Sequence, residues 1–275
     1  MARICDLHIH SDLSDSDMPV EEIFKTAVDN KVDCISLTDH DTLDGIDSAF
    51  RCSKKYDIEF IPGIEISAQH FDSEIHILGF FIDHLNKKFL DILAEMRVLR
   101  IQRLVEMVDK LNELGVAVSK PDFLEFIKGV VPTRLHLAIY LIQRGYTRDM
   151  KETFDKYIGV NKPAYSGGFK YSVKEVIAAI RDAGGLSFIA HPHMLTDQRL
   201  VEEFIGYGLD GIEVQYRNMP QRLRTVYDKY VFEKKLLRCG GSDAHGSYKK
   251  YAAIGSVNIP YDWVQEMKER LENND

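Results

Sequence analysis

The chain has few cysteines, no long apolar run and no excess of positive charge, and each absence excludes a class of protein. Its four cysteines, Cys5, Cys34, Cys52 and Cys239, form no C-x-x-C pair. Three lie in or beside apolar, strand-like runs, where a reduced thiol behaves as a small hydrophobe. Reduced thiols of a cytosolic protein are expected rather than a disulfide framework. No stretch of about eighteen apolar residues occurs, so no membrane span is expected. The N-terminus runs straight into Arg3-Ile4-Cys5-Asp6-Leu7, without the basic-then-apolar pattern of a secretion signal. The formal net charge is −8, which argues against a basic protein that coats duplex DNA. It does not exclude an anionic substrate, because bound divalent cations would cancel much of it.

What the chain does have is 275 residues, 45% of them hydrophobic. That is enough for one sizeable core, or a core plus an inserted lobe. Apolar runs at 4–7, 34–37, 58–61, 64–67 and 75–81 alternate with helical patterns, the first helix opened by Pro19 with Glu21 and Glu22 in its positive first turn. Such alternation favours βαβ units and a parallel sheet. From about residue 86 the rhythm changes. Phe89, Ile92, Leu93, Met96, Leu104, Met107, Leu111 and Leu114 follow helical spacing, Gly115 supplies a stop, and helical segments continue to about residue 163. Alternation then resumes, with strands at 186–190, 211–215 and 236–239. The expected organisation is an α/β unit of residues 1–85 and 164–275, interrupted by a helical lobe at 86–163.

Four runs set histidine and carboxylate groups side by side: Asp6-Leu7-His8-Ile9-His10, Thr38-Asp39-His40-Asp41, His191-Pro192-His193 and Ser242-Asp243-Ala244-His245. Each follows a strand-like run, the edge at which parallel α/β proteins place their chemistry. Imidazoles and carboxylates converging there point to a metal site. Taken singly, the runs have plainer readings: polar strand ends for His8 and His10, a helix cap at Thr38 to Asp41, a polar turn around Asp243 and His245. Glu65, flanked by Ile64 and Ile66, needs a partner or a metal if it is buried. His76, between Ile75 and Ile77, has a structural reading as good as a functional one. Arg134 and His136 follow Pro132 and Thr133 at a helix start, where both could reach an anion. Spacing alone makes them ordinary surface charge.

The ordered motifs Asp6-Leu7-His8-Ile9-His10-Ser11, Thr38-Asp39-His40-Asp41-Thr42, Gly63-Ile64-Glu65-Ile66-Ser67, His76-Ile77-Leu78-Gly79, His191-Pro192 and Ser242-Asp243-Ala244-His245-Gly246 resemble those of the PHP (polymerase and histidinol phosphatase) phosphoesterases. Within that family the chain is similar to the branch containing nucleoside 3′,5′-bisphosphate phosphatase and a 5′→3′ exoribonuclease, through Thr133-Arg134-Leu135-His136 and the run from Phe154 to Tyr165. The resemblance implies a distorted (β/α)7 barrel and three divalent metals, manganese foremost, with iron or zinc as alternatives. It implies that His8, His10, Glu65 and Asp243 hold one metal. Glu65, His76 and His191 would hold a second, and Asp15, His40 and His245 a third. Asp17 is an alternative to Asp15, because the chain reads Ser14-Asp15-Ser16-Asp17 where the family commonly has Ser-Asp-Gly.

The implied reaction removes the 3′-phosphate of a nucleoside 3′,5′-bisphosphate, or trims short 5′-phosphorylated RNA, by a metal-activated hydroxide at the Glu65 bridge. His193 or Asp39 would protonate the leaving group. Arg134 and His136 would clamp the second phosphate, with Lys162, Tyr165 and Lys170 on the same surface. A phosphatase for another small ester such as histidinol phosphate, and a non-catalytic metal- or nucleotide-binding module, are the competing expectations.

Overall fold

The computed structural model describes residues 3–273. Its elements in chain order are β1 (Ile4–Ile9), α1 (Val20–Asp29), β2 (Cys34–Leu37), α2 (Ile46–Tyr56), β3 (Glu59–His70), β4 (Ser73–Phe80), α3 (Lys87–Glu113), α4 (Lys120–Phe126), α5 (Arg134–Gln143), α6 (Met150–Thr153), α7 (Val173–Asp182), β5 (Leu186–Ile189), α8 (Leu200–Gly206), β6 (Gly211–Tyr216), α9 (Gln221–Lys234), β7 (Leu237–Gly241), β8 (Ile259–Pro260) and α10 (Asp262–Glu272). A π-helical turn, Phe154–Ile158, follows α6. None of the described helices is long and apolar enough to cross a membrane.

The strands form one sheet in the order β7-β6-β5-β4-β3-β2-β1-β8. Pairing is parallel except where β4 runs against both β3 and β5, and where β8 runs against β1. A hairpin with no helix joins β3 to β4, and this is the distortion of the barrel. The ring closes at the carboxyl end of β1. There the Asp243 amide donates to the His8 carbonyl (2.8 Å) and the His10 amide donates to the Ala244 carbonyl (3.0 Å). Closure requires Gly241, because a Cβ there would lie 2.4 Å from the His8 nitrogen. Short β8 lies beside the other end of β1, pairing Ile4 with Pro260 and Cys5 with Ile259. Neither β8 nor α10 is among the expected elements, and the expected break in β3 around Gly63 is absent. The strand is continuous because Gly63 lets it pass tightly over Ser36, whose Oγ would sit 2.2 Å from a Cβ.

The helices form where pattern and caps agree. In α1, Val20, Ile23, Phe24 and Ala27 are buried on one face, with Pro19 as the residue just before the first turn. In α7, Ser172 and Glu175 form a reciprocal capping box ahead of the buried face of Val173, Val176, Ile177 and Ile180. Helix α3 is 27 residues long and serves two cores. Phe89, Leu93 and Met96 pack into the barrel core. Leu104, Met107, Val108 and Leu111 pack with Phe123, Leu137, Leu141 and Ile158 in a second cluster. Each such side chain removed from water contributes about 1.5–3 kcal/mol, so the shared helix ties the second cluster to the barrel.

Candidate metal centre

The carboxyl rim of the barrel gathers the motif residues around Glu65, which is 1% exposed on β3. Its Oε1 lies 2.9 Å from His76 Nδ1 and 2.9 Å from His191 Nε2. Its Oε2 lies 3.3 Å from His8 Nε2, 3.2 Å from His10 Nε2 and 3.4 Å from His40 Nε2. Five imidazoles therefore face one carboxylate. Among the described residues three compact sets of potential ligands occur: His8, His10, Glu65 and Asp243; His10, Asp15, His40 and His245; and His40, Glu65 and His76. The sets share His10, His40 and Glu65, so the centre is a continuous cluster rather than three separate cages.

Backbone conformation contributes to this convergence. Asp41, His191 and Asp243 all have positive φ (50°, 30° and 54°), unusual for residues with side chains. Each such conformation costs on the order of 1–3 kcal/mol and persists where its surroundings impose it. At His191 the strained turn at the end of β5 aims the ring back over Glu65. At Asp243 it turns the carboxylate toward His10, whose Nε2 lies 3.2 Å from Asp243 Oδ1.

The donor set suits divalent cations. His10 is fully buried, and neither of its ring nitrogens has a hydrogen-bond partner, although carboxylate oxygens lie within 3.4 Å of both. His40 Nε2 likewise faces Glu65 Oε2 at 3.4 Å and Asp15 Oδ2 at 3.5 Å. Buried imidazole nitrogens aimed at carboxylates without making hydrogen bonds are disposed as metal ligands.

Electrostatics agree. Burial alone would raise the Glu65 carboxyl, but His40, His76 and His8 hold it well below the usual carboxylate range. Asp15 is held down against burial by His40 and His245, and Asp243 by Lys249, His245 and His8. In return, and against the effect of burial, Asp243 and Glu65 lift His10 to about 9, and Glu65 and Glu74 lift His76 to about 10. Burial, aided by His10 and His76, drives His40 well below its usual value. With folded-state values raised, His10 and His76 carry protons at pH 7 in the metal-free protein. Cation binding must displace those protons, so it should tighten as pH rises toward 9. Calorimetry of manganese binding in buffers of different ionisation enthalpy measures the release; uptake with no proton released at pH 7 contradicts the reading.

A surrounding layer orients the ring nitrogens. Glu213, fully buried on β6, accepts from His8 Nδ1 (2.9 Å) and from the His191 amide. The Asp243 carbonyl accepts from His245 Nδ1 (2.8 Å), leaving Nε2 to face Asp15 Oδ1 at 3.2 Å. Asp6 does not face the ligands. It accepts the Ser242 (2.9 Å) and Gly255 (2.8 Å) amides, holding β7 against β1, and burial pushes its carboxyl up to about 6. Fixing a ring's far nitrogen raises its basicity as a ligand and selects its tautomer.

The expected site residues differ in where the structure places them. Asp17 accepts the Ser247 amide at 2.7 Å, away from the cluster, whereas Asp15 lies among His10, His40 and His245. Asp15→Asn should therefore lower the bound-metal count and Asp17→Asn should not, as elemental analysis of the two variants would read; the reverse pattern would overturn the placement. Asp39 does not line the cleft beside the cluster. It accepts from the Ser11 amide (2.7 Å), the Ser11 hydroxyl (2.6 Å) and the Ser14 hydroxyl (2.5 Å), and so organises the loop carrying Asp15 rather than a leaving group. His193 also lies off the cleft, against Tyr216 at 4.9 Å between ring centroids.

His136 is engaged at the start of α5 and does not line the cleft. Its Nδ1 accepts the Thr133 amide at 3.1 Å in a capping box. Lys162 is exposed and lines no part of the cleft, and Lys170 pairs with Glu95.

Arg134 does line the cleft, a cavity of about 430 Å³ over the ligands, together with Arg100, Arg103 and Lys249. Arg134 Nη2 lies 3.3 Å and Arg103 Nη2 3.1 Å from Glu74 Oε2, while Glu74 Oε1 lies 3.1 Å from His76 Nε2. Lys249 Nζ lies 2.7 Å from Asp243 Oδ2. Arg100, Arg103, Glu74, Lys249 and Glu213 are not among the residues expected from the sequence. A signal existed for two kinds of them. Glu213 sits between Ile212 and Val214, as Glu65 sits between isoleucines, and Arg100 and Arg103 fall inside the apolar stripe of α3.

A barrel whose carboxyl rim carries clustered histidines and carboxylates beneath a cationic cleft is the architecture of a phosphoric ester hydrolase. The chain belongs to the PHP domain family, whose model matches residues 6–177. It is similar to a 5′-3′ exoribonuclease of Haemophilus influenzae, 33% identical over 250 residues that cover 89% of this chain and 91% of that protein. It is also similar to a 3′,5′-nucleoside bisphosphate phosphatase of Chromobacterium violaceum, 30% identical over 251 residues that cover 89% of this chain and 88% of that one. In three dimensions it matches a Bifidobacterium adolescentis protein described as a metal-dependent phosphoesterase, with a TM-score of 0.88, 28% identity and 97% and 96% of the two chains covered.

Proposed function

We propose that this chain hydrolyses the 3′-phosphate of nucleoside 3′,5′-bisphosphates and trims short 5′-phosphorylated RNA. The reading rests on one observation above all: arginine and lysine side chains of the cleft stand directly over a histidine–carboxylate cluster that suits several cations. In this reading three divalent ions, manganese foremost, are held by His8, His10, Glu65 and Asp243; by Glu65, His76 and His191; and by Asp15, His40 and His245. Such ions acidify bound water, hold phosphate oxygens and offset the charge that develops at phosphorus.

The protein's own groups do the rest. Residues 86–163 act as the substrate-binding lobe, supplying Arg134, while buried Arg100 and Arg103 brace the lobe against Asp41 and Glu74. Arg134 receives the phosphate that is not cleaved, with Glu74 holding its guanidinium ready before substrate arrives. Lys249, kept protonated by Asp243 in spite of burial, offers an ammonium group at the rim where the leaving oxygen emerges. The similarity to the exoribonuclease and the bisphosphate phosphatase supports the choice of a nucleotide over histidinol phosphate.

The test compares metal-stripped and manganese-reloaded protein on adenosine 3′,5′-bisphosphate, 3′-AMP, histidinol phosphate and a short 5′-phosphorylated RNA. Preferred, metal-dependent release of the 3′-phosphate from the bisphosphate is expected. Preference for histidinol phosphate, or equal activity without metal, would reject the proposal. Arg134→Ala sharpens it. Losing one partner of a charged hydrogen-bonded pair should cost about 2–3 kcal/mol in kcat/KM toward the bisphosphate. Binding energy from a remote phosphate orients the reacting one, so p-nitrophenyl phosphate, which lacks it, should change much less. Equal losses on both substrates would assign Arg134 to the fold or the ligands instead.

A further inference from the structure

Beside the cationic cleft lies a second cavity of about 350 Å³, and the two share His76, His191, Arg134, Glu74 and Met194 in their walls. Its lining differs in kind. Away from the shared wall it presents Ile75, Val160, Tyr165, Leu195 and Leu200, with Asp72, Ser73 and Thr196 as its polar groups. Val160 is 54% exposed and Met194 59% exposed, so apolar side chains of two separate segments meet solvent here instead of a core. At the shared wall the Arg134 guanidinium lies over the Tyr165 ring, 5.4 Å from its centroid. An apolar chamber of a few hundred Å³ opening onto a charged reaction cleft is the form of a small-molecule subsite.

We propose that this chamber holds the nucleobase of the substrate, a site built on the nucleotide reading given above. A nucleoside bisphosphate has two parts of opposite character, phosphates that need cations and a flat base that needs apolar cover. The two cavities offer these side by side, with Arg134 at the junction where the ribose would pass. Tyr165 supplies the aromatic surface, and Val160, Leu195 and Leu200 supply dispersion contacts. Stacking on an aromatic ring accepts any base, because every base has a π-face. Discrimination among bases needs fixed donors and acceptors, and the chamber offers few, so the four bases should be processed at similar rates. Purines should lead modestly through their larger stacked area.

The experiment measures kcat/KM of the manganese-loaded protein for adenosine 3′,5′-bisphosphate and for the abasic analogue 1-deoxyribose 3,5-bisphosphate. Wild type should prefer the base-bearing compound by about tenfold or more, the worth of one stacked base. Tyr165→Leu, which keeps apolar volume but removes the ring, and Val160→Gln, at an exposed position that tolerates substitution, should each shrink that ratio by lowering the base-bearing rate. A wild-type ratio near one, or variants that lower both substrates alike, overturns the base chamber and leaves the phosphatase reading standing. Hydrolysis of neither compound, with another phosphate ester turned over, overturns the nucleotide reading and the chamber with it.

Discussion

Glu65→Gln is expected to leave the chain folded but to remove most of its activity and part of its metal. The carboxylate faces five imidazoles within 3.4 Å, bridging the halves of the cluster. An amide keeps the shape, loses the charge, and presents an NH2 to nitrogens that need an acceptor. Metal stabilisation of transition-state charge is worth several kcal/mol, so kcat/KM should fall on the order of a thousandfold or more. Elemental analysis should show at least one ion fewer per chain. A variant with the full metal complement and near-normal turnover would defeat the assignment of Glu65 as the bridge.

Arg100→Met should act on stability more than any other single change near the site. Arg100 is 4% exposed. Its Nε bonds Asp41, its Nη2 donates to Ser67 Oγ at 2.7 Å, and its Nη1 donates to the Pro132 carbonyl at 3.3 Å. Asp41 has no exposed edge of its own and also accepts the Ser67 amide at 2.8 Å. Removing the guanidinium strands a buried carboxylate, which typically costs about 3–5 kcal/mol. Asp41→Asn added to Arg100→Met should restore much of that loss, since the stranded charge is then gone. Urea denaturation of the metal-free single and double variants reads both values. A single-variant loss below about 1 kcal/mol, or a double variant less stable than the single, would show that the pair is not an important tie between α3 and the barrel.

The same pair explains why part of the site was legible in the sequence and part was not. His8 and His10 were legible as a pair because a strand delivers alternate side chains to one face, whereas the ligand set as a whole followed from the resemblance of the ordered motifs, Glu65 and His76 lying within β3 and β4. The helical stretch was visible because Phe89 to Leu114 repeat at the helical period. Glu213 carried the same flanking pattern as Glu65 yet lay in no histidine-bearing run, so its role as orienter of His8 waited for β6 to be placed two strands from β4. Arg100 and Arg103 read as charges on a long helix. Only the packing of α3 across both cores turned that stripe inward over Asp41 and Glu74.

Where a motif supplied too many candidates, tertiary structure chose. Asp39 and Asp15 are both buried aspartates of conspicuous runs, but the Ser11 and Ser14 hydroxyls claim Asp39 and leave Asp15 for the histidines. Arg134 and His136 are two residues apart at one helix start. The helical turn sends the arginine into the cleft and folds the imidazole back onto the Thr133 amide. The sequence by itself determined which residue types reach the barrel rim and that a run of helices lies between β4 and β5, because these follow from periods of two and 3.6 residues along the chain. Tertiary structure decided which of those residues face the ligands, which cap or brace, and which cavity stands beside them. Those outcomes depend on contacts between residues far apart in sequence, and no local period encodes them.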